Sequence, residues 1–267
     1  MIDRAPDVPA GPAGEPHDDR TLLQTTGLAC GYGSGPVLTG VDLTLRAGDR
    51  VAVLGPNGGG KTTLFRTLLG ELPPLGGTLH VNARCAVVPQ TERSRLDFPV
   101  SAADVALMGA VSRLAWWRRP SRADRRLARA ALDQVGLAEH ADRSFGDLSG
   151  GQRQRVLVAR ALVQDAPIVL LDEPFGGLDA VSADRLEALL LTLAQDGRAL
   201  LIATHDVAQA RLWGTVLCLN RRQIAYGSAS VLTRAVLEAT YGGEIVDIDC
   251  AVHGQDRAVL PPHHHHH

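Results

Sequence analysis

The octapeptide Gly55-Pro56-Asn57-Gly58-Gly59-Gly60-Lys61-Thr62 restricts the possible folds of this chain more than any other feature. It matches the phosphate-loop pattern, and its surroundings agree: Arg50 to Leu54 reads as a buried strand and Thr62 to Leu69 as a helix. Glycines let such a loop curl until consecutive N–H groups face the β- and γ-phosphates of a nucleotide, and the positive end of the next helix adds its dipole. Lys61 would supply an ammonium to those phosphates and Thr62 a hydroxyl for Mg²⁺, with Thr63 beside it. Lys61 is also the only lysine among the 27 Lys and Arg residues. A chain so biased toward arginine keeps a lysine where a point charge must fit a tight backbone cradle that a planar guanidinium would overfill. The plainer alternative, a solvated lysine on a glycine-rich turn, leaves the flanking strand and helix unexplained.

Ile168-Val169-Leu170-Leu171-Asp172-Glu173 is a second apolar run, ending in two carboxylates. Asp172 at the strand edge can hold Mg²⁺ through water, and Glu173 can reach the cleft as general base for an attacking water. Alone, the pair could be solvated acids; beside a phosphate loop it reads as the second element of an ATPase. Arg84 to Val88 and Leu200 to Ala203 are further apolar runs, expected to be central parallel strands covered on both faces. Helical patterns at Asp124 to Val135 and Gly150 to Leu162 interleave with them, as in an open α/β sheet. Val41, Leu43 and Leu45 alternate as a half-buried antiparallel strand, and Asn220 to Arg222 joins two strand-like runs as a hairpin. Residues 91 to 150 hold no strand-like run and are rich in Arg and Ala, which predicts a helical insertion.

Composition narrows the classes. With 267 residues and 45% hydrophobic content, the chain can bury a core as one large domain or two modest ones. A net charge of -2 lacks the basic excess of a general nucleic-acid binder, so no nucleic-acid partner is expected. No window reaches the roughly 18 to 20 apolar residues of a membrane helix, and the first thirty residues lack the layout of a signal peptide; both lead to the expectation of a soluble protein that stays inside the cell. Cys30, Cys85, Cys218 and Cys250 have no metal-knuckle spacing and read as reduced thiols. Residues 1 to 20 are rich in proline and poor in aliphatic side chains, the composition of a flexible tail. Residues 21 to 262 then form one domain with a C-terminal tail from 241, and His263 to His267 read as an affinity tag.

Leu148-Ser149-Gly150-Gly151-Gln152 before a helix resembles the signature motif of the ABC ATPases. Ser149 can cap the helix, and two successive glycines, costly in a helix, would bare the backbone at an outward-facing anion-binding N-terminus. The resemblance covers about Gly27 to Gly243 and implies a P-loop NTPase core, α/β in class, with an antiparallel β subdomain and an inserted α-helical subdomain at about 91 to 150. It implies ATP and Mg²⁺ as ligands. It makes Gln90 the Q-loop residue near Mg²⁺, Asp179 the D-loop residue, His205 the switch histidine contacting the γ-phosphate, and Tyr32 the aromatic that stacks on adenine. Gly59 and Gly177 depart from the more usual small residues and are expected to add backbone freedom.

The same resemblance implies a homodimer in which the signature of one chain closes over the phosphate loop of the other, driving separate transmembrane permease subunits at the cytoplasmic face of a bacterial membrane. Segments such as Asp97-Phe98-Pro99-Val100, Trp116-Trp117-Arg118-Arg119-Pro120 and Thr240-Tyr241-Gly242-Gly243 look like the subfamily serving manganese, zinc and iron(II) importers, which work with an extracytoplasmic metal-binding protein. Trp116 and Trp117 could face the permease or pack within the insertion. Asp247, Asp249, Cys250 and His253 could sense metal or be an irregular polar terminus. An importer for another substrate such as iron chelates, or a soluble ABC ATPase, is the alternative; a nucleotide kinase would not explain residues 148 to 152.

Overall fold

A computed structural model describes residues 21–89, 100–111 and 119–242. Gln90, Asp97 to Pro99, Trp116 to Arg118, the residues from Gly243 on and the first twenty residues lie outside it.

Two sheets form the frame. In the smaller, β1 (Thr21–Tyr32) pairs antiparallel with both β2 (Gly35–Arg46) and β4 (Gly76–Val81). The period-2 pattern of β2 buries Val41, Leu43 and Leu45 on one face, as their alternation predicts. The larger sheet has the order β5-β6-β7-β3-β8-β9, built from β3 (Arg50–Leu54), β5 (Cys85–Val88), β6 (Ile168–Asp172), β7 (Ala199–Thr204), β8 (Thr215–Leu219) and β9 (Gln223–Ser228). Its strands run parallel except β9, which returns antiparallel to β8 through the expected hairpin at 220 to 222.

One expectation fails: Cys85–Val88 is the edge of this sheet, with Cys85 and Val87 only half-buried. A four-residue apolar run has the same composition at an edge as in the middle, so periodicity alone misplaced it. Burial still pushes the Cys85 and Cys218 thiols up to about 11, so both remain protonated hydrophobes.

The phosphate-loop strand β3 lies between two cores because its side chains alternate. Val51 and Val53 join a core with the antiparallel sheet and with α1 (Lys61–Leu68). Ala52 and Leu54 join the core formed by α2 (Ala102–Val111), α3 (Arg122–Gln134), α4 (Gly150–Gln164) and α5 (Ala180–Gln195). The insertion is helical in its described parts: α2 and α3 pack on α4, and a reciprocal Ser121–Asp124 capping box starts α3. The short α6 (Val207–Leu212) follows β7, and α7 (Arg234–Tyr241) closes the described chain.

This topology positions the site. Strands β6, β7 and β3 are adjacent and parallel, with Asp172 opposite Ala203 and Leu54 opposite Thr204. The chain segments after all three therefore leave from the same carboxyl edge, where open α/β sheets bind ligands.

Candidate active site

The phosphate loop and α1 build the floor of a cavity of about 400 Å³, closed by Val37 of β2 and by Asp172 and Glu173. Pro56, Asn57, Gly58, Gly60, Lys61, Thr62 and Thr63 all line it. Gly60 holds φ at 104°, and a Cβ there would come within 2.9 Å of the Leu38 side chain, so the loop needs glycine at this point on two grounds. Lys61 is 7% exposed, and its Nζ donates to the carbonyl of Gly55 at 2.5 Å and of Pro56 at 3.3 Å. Burial pulls its pKa below the ordinary lysine value, while Glu173 and Asp172 pull it back up. The ammonium is thus held at the loop, partly stripped of water.

Gly59 corrects the expectation of added freedom. Its φ is not left-handed; it is buried, and a Cβ there would sit 3.0 Å from the Pro56 carbonyl oxygen and 3.2 Å from that of Leu219. Its oxygen accepts the Arg221 N–H at 3.0 Å. Space, not torsion, favours glycine. Gly177 at φ 69° does use the left-handed region.

Glu173 follows β6 with φ at 47°, a conformation that costs a non-glycine residue on the order of 1–3 kcal/mol. Its N–H donates to Ala203 at 3.0 Å. The carboxylate borders both the phosphate-loop cavity and an adjoining cavity of about 250 Å³ walled by Phe175, Thr204, His205 and Gln209. His205 Nδ1 is 3.6 Å from Glu173 Oε2, an ion-pair separation rather than a hydrogen bond. The Glu173 carboxylate raises the imidazole pKa against the opposing effect of partial burial. His205 is presented on a braced corner: Thr204 Oγ1 donates to Gln209 Oε1 at 3.0 Å, and Asp206 caps α6 through the Gln209 N–H at 3.1 Å.

The oxygens of Thr62 and Asp172 face one cavity, Thr62 exposed and Asp172 8% exposed. Among the described residues no three His, Cys, Asp or Glu side chains cluster as a metal cage. One hydroxyl and one carboxylate suit Mg²⁺ that completes its shell with phosphate oxygens and water.

Other sequence-selected residues lie elsewhere. Tyr32 sits at the β1–β2 hairpin, 40% exposed, with the Arg66 guanidinium 5.7 Å from its ring centre; it does not line the cavity. Val37, which does, was not singled out in the sequence, because a lone valine in a strand carries no chemical signal. Ser149 caps α4: its Oγ accepts the Gln152 N–H at 3.2 Å, and its own N–H donates to Gln152 Oε1 at 2.9 Å. Leu148 is buried and Ser149 exposed.

Gly150 is half-buried and Gly151 buried, so the pair does not simply bare the backbone. A Cβ on Gly151 would lie 2.6 Å from Ser182 Oγ. Ser182 in turn donates from its N–H and hydroxyl to Asp179, at 2.9 and 2.8 Å, capping α5. The Ser182 N–H and then its hydroxyl hold the Asp179 carboxyl below its usual range. Residues 148–152 and Asp179, expected from the sequence to be the signature and the D-loop, thus form one packed unit, and none of them lines the phosphate-loop cavity of the same chain.

Comparison with known proteins agrees with this architecture. Residues 38–176 match the family "ABC transporter". The "Zinc transport system ATP-binding protein TroB" of Treponema pallidum is 40% identical, covering 84% of this chain and 88% of that protein. The "Manganese transport system ATP-binding protein MntB" of Bacillus subtilis is 39% identical, covering 80% and 90%. Among solved structures, a chain of an inward-facing ABC transporter described as of metal-chelate type superposes with a TM-score of 0.79 at 31% identity, covering 91% of this chain and 97% of that one. A phosphate loop on the carboxyl edge of a parallel sheet, a helical insertion leading into a Ser-capped signature helix and this similarity over most of the length converge: the chain belongs to the ABC transporter family, as one of its ATP-binding, ATP-hydrolysing subunits.

Proposed function

We propose that this subunit powers import of a divalent transition metal, manganese or zinc, as a homodimer that encloses two ATP and moves separate permease subunits. The observation that carries the dimer is the separation within one chain: the phosphate cavity holds Lys61, Asp172 and Glu173 but no residue of the signature. Ser149 faces outward on a capped helix N-terminus suited to an anion, so the site needs the signature of a second copy. The metal cargo is supported by the zinc and manganese relatives. An iron-chelate importer is the second reading, favoured by the metal-chelate type neighbour.

The chemistry follows from the placement of the groups. The loop N–H groups and Lys61 bind the β- and γ-phosphates, for which the Nζ exchanges the Gly55 and Pro56 carbonyls for phosphate oxygens. Glu173 accepts a proton from a water as it attacks the γ-phosphorus; the bond to the β,γ-bridging oxygen breaks and leaves ADP and inorganic phosphate. His205 contacts the γ-phosphate and orients that water beside Glu173. Thr62 and Asp172 would hold Mg²⁺, which would supply positive charge against the phosphates; Gln90, which the family resemblance assigns to the same ion, lies outside the described residues. Tyr32 contributes an aromatic face to adenine, and Asp179 joins the dimer interface.

No helix among the described residues is long and apolar enough to cross a membrane. We place the subunit at the cytoplasmic face, bound to its permease and served by an extracytoplasmic metal-binding protein. Two measurements test this reading. Glu173→Gln should retain ATP binding and accumulate as a dimer while hydrolysis falls by about 10²-fold or more; rapid turnover would remove Glu173 from the base role. Deleting the subunit should lower cellular manganese or zinc uptake, and unchanged uptake of both would overturn the assigned cargo.

A further inference from the structure

Where the end of α3 meets α4 and α5, a second cavity of about 250 Å³ is lined by Gln134, Val135, Gly136, Arg155, Arg185 and Leu189. It shares no wall with the phosphate-loop cavity. Its charge balance is unusual, with two guanidinium groups and no carboxylate. Arg155 is 9% exposed; its Nη1 donates to the Val135 carbonyl at 2.9 Å, and its buried Nε has no hydrogen-bond partner. Arg185 projects from the exposed face of α5. Neither arginine has a salt bridge to a described residue. Burial, and then the like charge of Arg185, lower the Arg155 pKa, so the protein holds this cation at a cost. The backbone leaves room for it: a Cβ on Gly136 would stand 3.4 Å from Arg155 Nη1.

Buried cations are ordinarily paired, and guanidinium forks match the planar or tetrahedral array of oxygens on carboxylates and phosphates. We propose that the Arg155–Arg185 cavity is a binding site for a small oxyanion of the phosphate or dicarboxylate class, separate from the nucleotide site. Arg155 offers the guanidinium nitrogens not engaged by Val135, Arg185 closes over the ligand from α5, and the Gln134 amide supplies a further donor. Val135 and Gly136 follow the end of the inserted helix α3, whereas Arg185 belongs to α5, outside the insertion, so an anion here ties the insertion to α5.

The test uses the full chain with its nucleotide site saturated by ADP and Mg²⁺, which fills the α- and β-phosphate positions, and the Arg185→Gln comparison separates binding at this cavity from binding at the open γ-phosphate position. Inorganic phosphate and malonate are titrated in separate arms at constant ionic strength set with chloride, and the thermal unfolding midpoint is followed. A saturable rise with either anion is expected, with apparent affinity at least about tenfold weaker in Arg185→Gln, where one charged fork is lost. The arm with the tighter response identifies the class. Crystals soaked in selenate at the concentration that saturates the shift should show an anomalous peak between the two guanidinium groups. No anion-specific rise in either arm, an equal rise in Arg185→Gln, or a peak only elsewhere would overturn the proposal. Because the readout is binding to the ADP-loaded chain, failure would leave the metal-import reading untouched.

Discussion

The phosphate loop and the signature unit are both glycine-rich helix N-termini, yet they are built differently. The first is enclosed: Lys61 is 7% exposed, bonded to its own loop and set beside two acids of the neighbouring strand. The second is braced from behind and open in front, with Gly151 pressed on Ser182 while Ser149 faces solvent. One region is thus a nearly finished binding site, and the other, on the function proposed above, is presented to a different chain.

Substitutions should separate the two. Lys61→Ala should have the largest effect, a loss of ATPase activity of about 10³-fold together with weakened ATP binding, measured by turnover and nucleotide titration. Ser149→Arg should cost about 10²-fold in turnover but leave the affinity of the isolated chain for ATP unchanged, since Ser149 does not line that cavity. A parallel fall in binding would erase the distinction.

Gly151→Ala sharpens the picture of the bracing. With Ser182 Oγ at 2.6 Å and its Cβ at 2.7 Å from the new methyl, overpacking should destabilise the chain by about 1–3 kcal/mol in denaturant unfolding. Ser182→Gly in the same chain should restore part of that loss; no restoration would place the strain elsewhere.

The smallest effect concerns His205. Its pKa is raised in the folded chain, so its contribution to stability is fully present below the unfolded value near 6.5 and fades as pH rises through the higher folded value. The side chain is 57% exposed, so solvent screening limits the contribution to about 0.5 kcal/mol or less. His205→Gln should flatten the stability profile across that window, and an unchanged profile would show that the Glu173 contact is not what raises the pKa.

What the sequence disclosed and what it hid follow a physical line. The phosphate loop, Asp172, Glu173 and the Ser149 cap were legible because their chemistry is local: strand, turn and helix follow one another along the chain. The antiparallel strand β1 was not read, since its Thr25-Thr26 pair and its glycines break the alternation, and its register shifts between Thr25 and Leu28. The reason for Gly151 was hidden because Ser182, which demands it, comes thirty-one residues later on another helix. Tyr32 was singled out by its position in the chain, and the structure gives it Arg66 as a neighbour while Val37 takes the cavity wall.

In the proposed dimer the signature of one chain serves the phosphate loop of another. Asn57 and Ser149 are both exposed, so Asn57→Cys chains can be mixed with Ser149→Cys chains and oxidised with and without ATP. An ATP-dependent disulfide-linked dimer containing one chain of each kind is expected. An Asn57→Cys/Ser149→Cys chain that closes on itself as a monomer, while the mixture yields no linked pair, would contradict it.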